Sequence, residues 1–246
     1  MDKKVAIITG GSRGIGAAIS EKFASNGYNV TINYKSNDEK ANEIKNKLEN
    51  TYKIKVLLVK GDLSNEDDIK EIVSKTIDYF GRIDCLINNA GICKDAPFDD
   101  KTKETYMKIL EVNLVAPFLL SKYAKEELIK NNGTIINIAS TNGINAYYPE
   151  SLDYDSSKAG LINLTKNLAM HFSPNVRVNA VCPGWTNTDM IKDLEPHYRE
   201  NEKNNVLLKR FAEPEEIAST VYFLASDESS YVNGQIISVD GGCYGY

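Results

Sequence analysis

The sequence predicts an α/β fold in which a doubly wound parallel sheet of about seven strands carries helices on both faces. Two observations predict it: short runs rich in Val and Ile recur along the chain, and longer amphipathic stretches separate them. Such runs are typical of strands buried on both faces, and their alternation with helices favours parallel order. We find no linker, internal repeat or low-complexity tract, so residues 1–246 are expected to form a single domain.

Each predicted element has a local basis. The strands are bounded by Gly, Asn, Asp or Pro and are expected at residues 5–9, 30–34, 56–59, 85–87, 134–138, 176–182 and 236–239. Capping boxes predict helix starts at Ser36, with Glu39 three residues later, and at Ser64, with Asp67 in the same relation. The irregular stretch at about 183–210 is long enough to be a lid over a substrate site.

Composition narrows the class of protein. The chain has 42% hydrophobic and 26% charged residues, as is common in soluble domains, and a net charge of -5. This balance argues against nucleic acid or an anionic membrane as a partner, because both need clustered Lys and Arg. No apolar run reaches the ~18 residues of a membrane helix, and the short apolar start is interpreted as a strand, so a cytoplasmic protein is expected.

Cysteine and histidine are sparse. The four cysteines show no CxxC spacing, so we expect reduced thiols rather than disulfides. The two histidines, His171 and His197, lie far apart in the sequence, so no metal site is expected.

A glycine-rich turn, TGGSRGIG, occupies residues 9–16 at the junction between the first predicted strand and the first helix. Glycines let the backbone approach a pyrophosphate closely, and a helix N-terminus offers free N–H groups and a positive dipole end. In this context the turn predicts a dinucleotide site, with a plain glycine turn as the alternative. The residues expected to contact the cofactor here are Gly10, Ser12, Arg13, Gly14, Ile15 and Gly16.

The end of the second predicted strand bears on which dinucleotide binds. NAD sites usually place Asp or Glu there, on the ribose 2′-hydroxyl, but this strand ends at Tyr34 and Lys35 without a carboxylate. Asp38 and Glu39 fall in the first turn of a predicted helix, where the helix dipole explains them. Tyr34 and Lys35 are expected to contact the cofactor, and Lys35 and Arg13 would suit a 2′-phosphate, so NADP(H) is favoured over NAD(H). The alternative is that both are solvated surface cations.

Tyr154 and Lys158 stand four residues apart, which places them on one face of a helix. A nearby ammonium stabilises a phenolate, so Lys158 is expected to lower the pKa of Tyr154 toward a range useful for proton transfer. The YxxxK pattern alone often occurs by chance. Ser140, however, closes a predicted strand at the carboxyl edge of the sheet, where open α/β sheets bind ligands.

These motifs occur together and in order along essentially the whole chain. TGxxxGxG, NNAG at 88–91, Asn113, Ser140, YxxxK and PGxxxT at 183–188 together resemble the short-chain dehydrogenase/reductase family. The resemblance implies a Rossmann-type fold and reduction of a carbonyl to a secondary alcohol, or the reverse, with Tyr154 as acid/base. It implies that Ser140 holds the substrate oxygen, that Lys158 binds the ribose, and that Asn113 supports a relay water. A packing or helix-kink role is the alternative for Asn113.

The resemblance also implies further cofactor contacts. Asp62 and Leu63 would lie at the adenine, and the turn after residue 183 at the nicotinamide amide and diphosphate. Asn88 is expected instead to tie neighbouring strands together. The remaining residues implied to contact the cofactor are Asn89, Ala90, Gly91, Tyr154, Lys158, Pro183, Gly184, Thr186 and Thr188.

The glycine turn, the strand end at Asn33 and Tyr34 and residues 208–217 resemble those of bacterial 3-oxoacyl-[acyl-carrier-protein] reductases. The chain departs from these enzymes in two places. These enzymes commonly carry basic residues on two helices for the acidic carrier protein. Here one helix end, at 169–171, reads AMH, and Lys125 and Lys130 stand beside two glutamates. The segment between Ser140 and Tyr154 is also one residue longer than usual.

That longer segment would border the substrate. Ser140, Tyr147, Tyr148 and Trp185 are the predicted substrate residues, and Asn145 or Glu150 could bind hydroxyl groups. Alternatively, the tyrosines pack at a subunit interface. A small ketone, a sugar or polyol, or a steroid stays open beside a carrier-bound substrate.

Two other classes remain in view. A non-catalytic dinucleotide sensor on the same fold usually lacks the tyrosine or the lysine, and a Rossmann-like methyltransferase would need an acidic residue after the second strand.

The family resemblance implies a homotetramer, with a dimer as the alternative, paired through the helices of Asn113 and Tyr154. Apolar residues that favour such pairing are Val115, Phe118, Leu119, Tyr123 and Leu128.

Overall fold

A computed structural model describes residues 3–144, 147–192 and 194–242, without the side chain of Met190. Its strands form one parallel sheet of seven in the order β3-β2-β1-β4-β5-β6-β7, which confirms the predicted doubly wound α/β fold. The strands are β1 Val5–Ile8, β2 Asn29–Tyr34, β3 Val56–Lys60, β4 Cys85–Asn88, β5 Thr134–Ile138, β6 Arg177–Pro183 and β7 Ile236–Val239.

Helices cover both faces of this sheet. On one face α1, α2 and α9 bury their apolar sides, and on the other face α3, α5, α6 and α7 do so. The helices are α1 Gly14–Ser25, α2 Asp38–Tyr52, α3 Glu66–Phe80, α4 Lys103–Leu110, α5 Ala116–Tyr123, α6 Lys125–Lys130, α7 Leu152–Phe172, α8 Pro196–Asn204 and α9 Pro214–Ala225.

The sequence predicted the bounds of the strands more accurately than the N-cap residues of the helices. Each predicted strand matches the observed one to within a residue at either end. The N-cap of α2 is Asn37 rather than Ser36, and that of α3 is Asn65 rather than Ser64. Asn side chains cap as well as Ser, and the Ser64 hydroxyl is engaged elsewhere, donating to Asp62 at 2.9 Å.

The strand order creates a crevice between β1 and β4. From β1 the chain winds outward through β2 and β3, and from β4 it winds the opposite way, so the loops at these carboxyl ends diverge. Such a switch point is where open α/β sheets bind ligands. The glycine turn follows β1 and the NNAG segment follows β4, so both lie at this crevice.

The segment predicted to be irregular, residues 183–210, is partly helical. It contains a 3₁₀ turn, Asp189–Ile191, and helix α8. In the described ranges no helix is long and apolar enough to cross a membrane, and no group of His, Cys, Asp and Glu residues there could hold a metal ion. Cys85, Cys93 and Cys182 are free thiols, and Cys243 lies outside the described residues.

The apolar surface expected on the Asn113 helix is present only in part. Val115 and Phe118 are 42% and 44% exposed, which is high for apolar residues. Leu128 is fully buried in the core, so it offers no surface and that expectation was wrong. Leu128 continues the buried stripe of Leu120 and Ala124 at four-residue spacing, so it lies on the core side of the chain rather than on the exposed side.

Candidate active site

The glycine turn has the close backbone packing of a phosphate cradle. Gly10 and Gly14 have φ angles of 61° and 52°, which favour glycine. A Cβ on Gly16 would lie 2.2 Å from the carbonyl oxygen of Gly10, so no side chain fits there. The first turn of α1 carries no acidic residue and no side-chain cap, so its N–H groups are free for an anion. These features fit a dinucleotide pyrophosphate.

The NNAG segment braces this turn from β4. The Thr9 hydroxyl accepts the backbone N–H groups of Asn89 and Ala90, both at 3.0 Å. The Asn89 amide donates to the Thr9 carbonyl at 2.8 Å. Asn88 donates to Asn137 on β5 at 2.8 Å, so the expected tie between strands is confirmed. The Thr9 hydroxyl was missed in the sequence because its partners lie some eighty residues away.

The residues predicted to select the cofactor lie in the glycine turn after β1 and at the end of β2. Arg13 is exposed and forms no salt bridge to another residue in the described ranges. Lys35 pairs with Asp62 at 2.7 Å, so two predicted cofactor residues contact each other. Partial burial would raise the pKa of Asp62, but hydrogen bonds from Lys35 and Ser64 outweigh it and lower the pKa to about 2. The Tyr34 hydroxyl donates to Asp38 at 2.9 Å.

The predicted catalytic side chains converge at the carboxyl ends of β4 and β5. Tyr154 and Lys158 share one face of α7, with the Lys158 ammonium 5.5 Å from the centre of the tyrosine ring. Lys158 donates to the carbonyl of Ile138 at 2.7 Å. Ser140 follows β5 and lies near enough to the Tyr154 hydroxyl to lower the pKa of the tyrosine. The four-residue spacing therefore brings together the groups that it predicted.

Asn113 occupies a π-helical turn, Glu111–Val115, between α4 and α5. Its side chain accepts the backbone N–H of Ile92 and donates to the Ile92 carbonyl, both at 2.9 Å, and also donates to Ser157 at 3.0 Å. A Cβ on Gly91 would lie 3.4 Å from both the Asn113 Oδ1 and the Lys158 Nζ. The asparagine thus joins the loop after β4 to α7 at a distorted turn of its helix.

The pKa of Tyr154 differs from the sequence expectation. Burial raises this pKa, and the nearby Ser140 opposes the rise only in part. The Lys158 ammonium donates to the Ile138 carbonyl and lies 5.5 Å from the centre of the tyrosine ring, so it acts on a phenolate through space rather than by a hydrogen bond. Burial also lowers the pKa of Lys158, to about 8. Burial thus moves the pKa values of Tyr154 and Lys158 in opposite directions, because it disfavours the charged form of each group.

The turn after β6 lies against the glycine turn. Gly184 donates to the Val239 carbonyl at 3.1 Å, and a Cβ there would lie 2.8 Å from that of Asp240. Thr188 packs beside Gly14, since a Cβ on that glycine would be 3.4 Å from the threonine methyl. The other predicted cofactor residues divide into the buried Leu63, Pro183 and Thr186 and the partly exposed Ser12, Ile15 and Ala90.

Only some of the predicted substrate residues lie together in the structure. Tyr148 and Trp185 lie edge to face at 6.0 Å, and both donate to one carboxylate oxygen of Glu202 on α8, at 3.0 and 2.7 Å. Tyr147 is 78% exposed, and Glu150 is exposed as well. Asn145 lies outside the described residues. Glu202 was missed because nothing in the sequence links α8 to the segment before Tyr154.

The sequence did not predict the hydrogen bonds of Asp155 and Asn142 or an ion pair between Lys40 and Asp189. Asp155, next to Tyr154, accepts the Asn142 amide at 2.8 Å and the Tyr148 backbone N–H at 3.2 Å. Asn142 in turn donates from its backbone to Ser140 at 3.2 Å. Across the crevice, Lys40 on α2 pairs with Asp189 at 3.0 Å.

Known proteins share this architecture. Residues 10–244 match the sequence model of a family described as enoyl-(acyl carrier protein) reductase. A 3-oxoacyl-[acyl-carrier-protein] reductase of Aquifex aeolicus is 38% identical over 98% of this chain and 97% of its own.

Solved structures agree with the sequence comparison. A short chain dehydrogenase of Burkholderia cenocepacia in complex with NADP is 31% identical, with a TM-score of 0.93 over 97% of each chain. L-Sorbose reductase of Gluconobacter frateurii, complexed with NADPH and L-sorbose, is 29% identical, with a TM-score of 0.90 over 99% of this chain and 98% of its own. From its motifs, its fold and these relatives, the chain belongs to the short-chain dehydrogenase/reductase family.

Proposed function

We propose that this protein is an NADP(H)-dependent oxidoreductase that reduces a 3-oxoacyl group, carried as a thioester on acyl-carrier protein, to the secondary alcohol. The observation that carries the proposal is the meeting of Ser140, Tyr154 and Lys158 beside a glycine cradle at the switch point. The relative from Aquifex aeolicus supports the substrate assignment. The reverse oxidation uses the same residues.

In this proposal the side chains of the site bind the carbonyl oxygen of the substrate and transfer a proton to it. The hydroxyls of Ser140 and Tyr154 bind the carbonyl oxygen, and Tyr154 donates its proton as negative charge develops there. Lys158 stabilises the resulting phenolate, and Asn113 holds the backbone around the relay. The bound nicotinamide supplies or accepts the hydride. Sensors and methyltransferases would not need this set of side chains.

The cofactor contacts are those of the glycine cradle, the ends of β2 and β3, the NNAG segment and the turn after β6. Arg13 is assigned to the 2′-phosphate because it is exposed in the turn. Lys35 is assigned with it, and would share its charge between the phosphate and Asp62. Lys158 would hold the ribose hydroxyls. The assignment favours NADPH over NADH, since a 2′-hydroxyl gives these cations no charge to bind.

A docking place for the carrier protein is supported by one contact. The Lys125 ammonium on α6 lies 3.1 Å from the His171 ring nitrogen on α7. The ammonium donates to a neutral imidazole in this contact, so the pair places one positive charge between the two helices. Lys130 contributes less, since Glu127 accepts its hydrogen bonds at 2.9 and 3.2 Å.

A ketose or polyol is the second candidate substrate. The wall formed by Tyr148, Trp185 and Glu202 combines aromatic rings with a carboxylate, and such walls bind sugar hydroxyls. The structural similarity to L-sorbose reductase supports this candidate.

The decisive experiment compares substrates and cofactors in one assay. Oxidation of NADPH and NADH is followed with acetoacetyl-CoA, acetoacetyl-acyl-carrier protein and L-sorbose. We expect the highest kcat/KM with NADPH and the carrier-bound substrate. Faster turnover of L-sorbose would favour the second candidate, and turnover confined to NADH would overturn the cofactor assignment. Cofactor binding without turnover of any carbonyl would point to a sensor.

The assembly and location proposed with this function are a cytoplasmic homotetramer. The exposed Val115 and Phe118 beside the Asn113 turn support a helix-pairing interface.

A further inference from the structure

Lys101 and Asp153 form an ion pair that is almost completely buried. The lysine Nζ lies 2.7 and 2.9 Å from the two carboxylate oxygens, and the side chains are 7% and 0% exposed. Removing two charges from water is costly, and apolar residues of similar size often stabilise a fold as well or better. Stability alone therefore gives a weak reason for this pair, and its position suggests another.

Each partner stands at the start of a helix that carries the candidate site. Lys101 directly precedes Thr102, the N-cap of α4, and this helix runs into the π-helical turn that holds Asn113. Asp153 lies in the first turn of α7, immediately before Tyr154. The pair therefore fixes the origins of the two helices that bear Asn113, Tyr154 and Lys158.

The carboxylate also contacts the tyrosine backbone directly. One oxygen, Oδ1 of Asp153, accepts both the Lys101 ammonium and the backbone N–H of Tyr154, the latter at 2.9 Å. A shift of the lysine would be transmitted through this single atom to the main chain of Tyr154. The side chain of the tyrosine has to meet Ser140 across the site, so small backbone shifts matter for proton transfer.

Neighbouring bonds join the same two segments. The Lys101 ammonium donates to the Lys94 carbonyl at 2.8 Å, the Ala96 N–H donates to the Glu150 carbonyl at 3.1 Å, and the Ser151 hydroxyl donates to Asp95 at 2.5 Å. The loop after β4 is thus attached along its length to the segment before Tyr154. The Lys101–Asp153 pair is the ionic contact among these bonds between the two segments.

We propose that Lys101 and Asp153 are positioning residues that set Tyr154 against Ser140 and the Asn113 turn. The proposal rests on the proposed function, since it takes Tyr154 as the proton donor. Removing one partner leaves the other charged and unpaired in a dry site, which the protein relieves by moving the loop or the helix start.

The test uses Asp153→Asn, Lys101→Met and the double variant, with acetoacetyl-CoA and NADPH. Asn keeps an oxygen for the Tyr154 N–H, so the change is mainly electrostatic. We expect each single variant to lose at least tenfold in kcat with the NADPH Kd within twofold, and the double variant to recover to within about fivefold of wild type. If the single variants do not fold, Asp153→Glu is used in their place, because it keeps the negative charge and shifts the position of the carboxylate.

Asp84→Asn is the matched control. Asp84 also pairs with a cation, Arg82, at 2.7 Å and accepts a backbone N–H, from Val5, at 2.8 Å, but at the opposite edge of the sheet. It should lower thermal stability and leave kcat unchanged. If the Asp153 and Lys101 variants behave like this control, with lower stability and wild-type kcat, the proposal is overturned.

A second readout separates this inference from the proposed function. The ¹³Cζ resonance of Tyr154 in tyrosine-labelled protein is assigned by its disappearance in Tyr154→Phe. We expect it to shift in Asp153→Asn, or in Asp153→Glu, and to stay in place in Asp84→Asn. An unmoved resonance overturns the inference whatever the activity. If the resonance shifts but the protein reduces no carbonyl, the positioning role of Asp153 and Lys101 stands and the proposed function is wrong.

Discussion

At the scale of single residues, the protonation of Lys158 sets the expected pH dependence. Burial lowers its pKa to about 8, so the ammonium form is lost as the pH rises through that value. Only the ammonium stabilises a phenolate on Tyr154, so kcat/KM for carbonyl reduction should fall up to about tenfold per pH unit above about pH 8. Initial rates from pH 6 to 10 check this. In Lys158→Arg, whose guanidinium stays charged, any residual activity should lack this alkaline decline.

Arg13 carries a prediction about cofactor choice. It is exposed in the glycine turn, and a charge-assisted hydrogen bond to a phosphate contributes roughly 1.5–3 kcal/mol. Arg13→Ala should therefore raise the KM for NADPH by about tenfold or more and leave that for NADH unchanged. Lys75→Ala, which removes a surface cation on α3, is the control. An equal loss with both cofactors would show that the arginine shapes the turn rather than binding the phosphate.

At the scale of elements, α8 is attached to the substrate side of the site through Glu202. Its carboxylate accepts bonds from Tyr148 and Trp185, and Glu202→Gln weakens both by removing the charge. A loss of about 1 kcal/mol would raise the KM for the carbonyl substrate about fivefold, with the NADPH Kd unchanged. Glu200→Gln, on the same helix, is the control. An unchanged KM would mean that α8 does not close over the substrate.

The elements also show what a sequence can and cannot predict. Strands were predictable because burial on both faces leaves continuous apolar runs, and YxxxK because four residues span one helical turn. The π-helical turn at Asn113 and the Lys101–Asp153 pair were not, since both depend on contacts between segments about twenty to fifty residues apart. The caps Asn37 and Asn65 were missed because Ser and Asn are equally good caps one residue apart.

At the scale of the whole molecule, the exposed side of α5 predicts assembly. Phe118→Asp would place a charge in the proposed helix-pairing interface, where burial without a partner is costly. Light scattering should show a tetramer for the wild type and smaller species for this variant. Tyr79→Asp, at an exposed aromatic of α3, should leave the assembly intact. A monomeric wild type at micromolar concentration would refute both the tetramer and the dimer.

Turnover of Tyr154→Phe with NADPH and acetoacetyl-CoA tests directly whether Tyr154 is the proton donor. The ring stays, so packing and cofactor binding should persist, while the proposed proton donor beside Ser140 is lost. We predict a kcat at least about 100-fold below wild type with an NADPH Kd within twofold. Wild-type turnover in this variant would show that the proton comes from another group and that Tyr154 is not the catalytic acid.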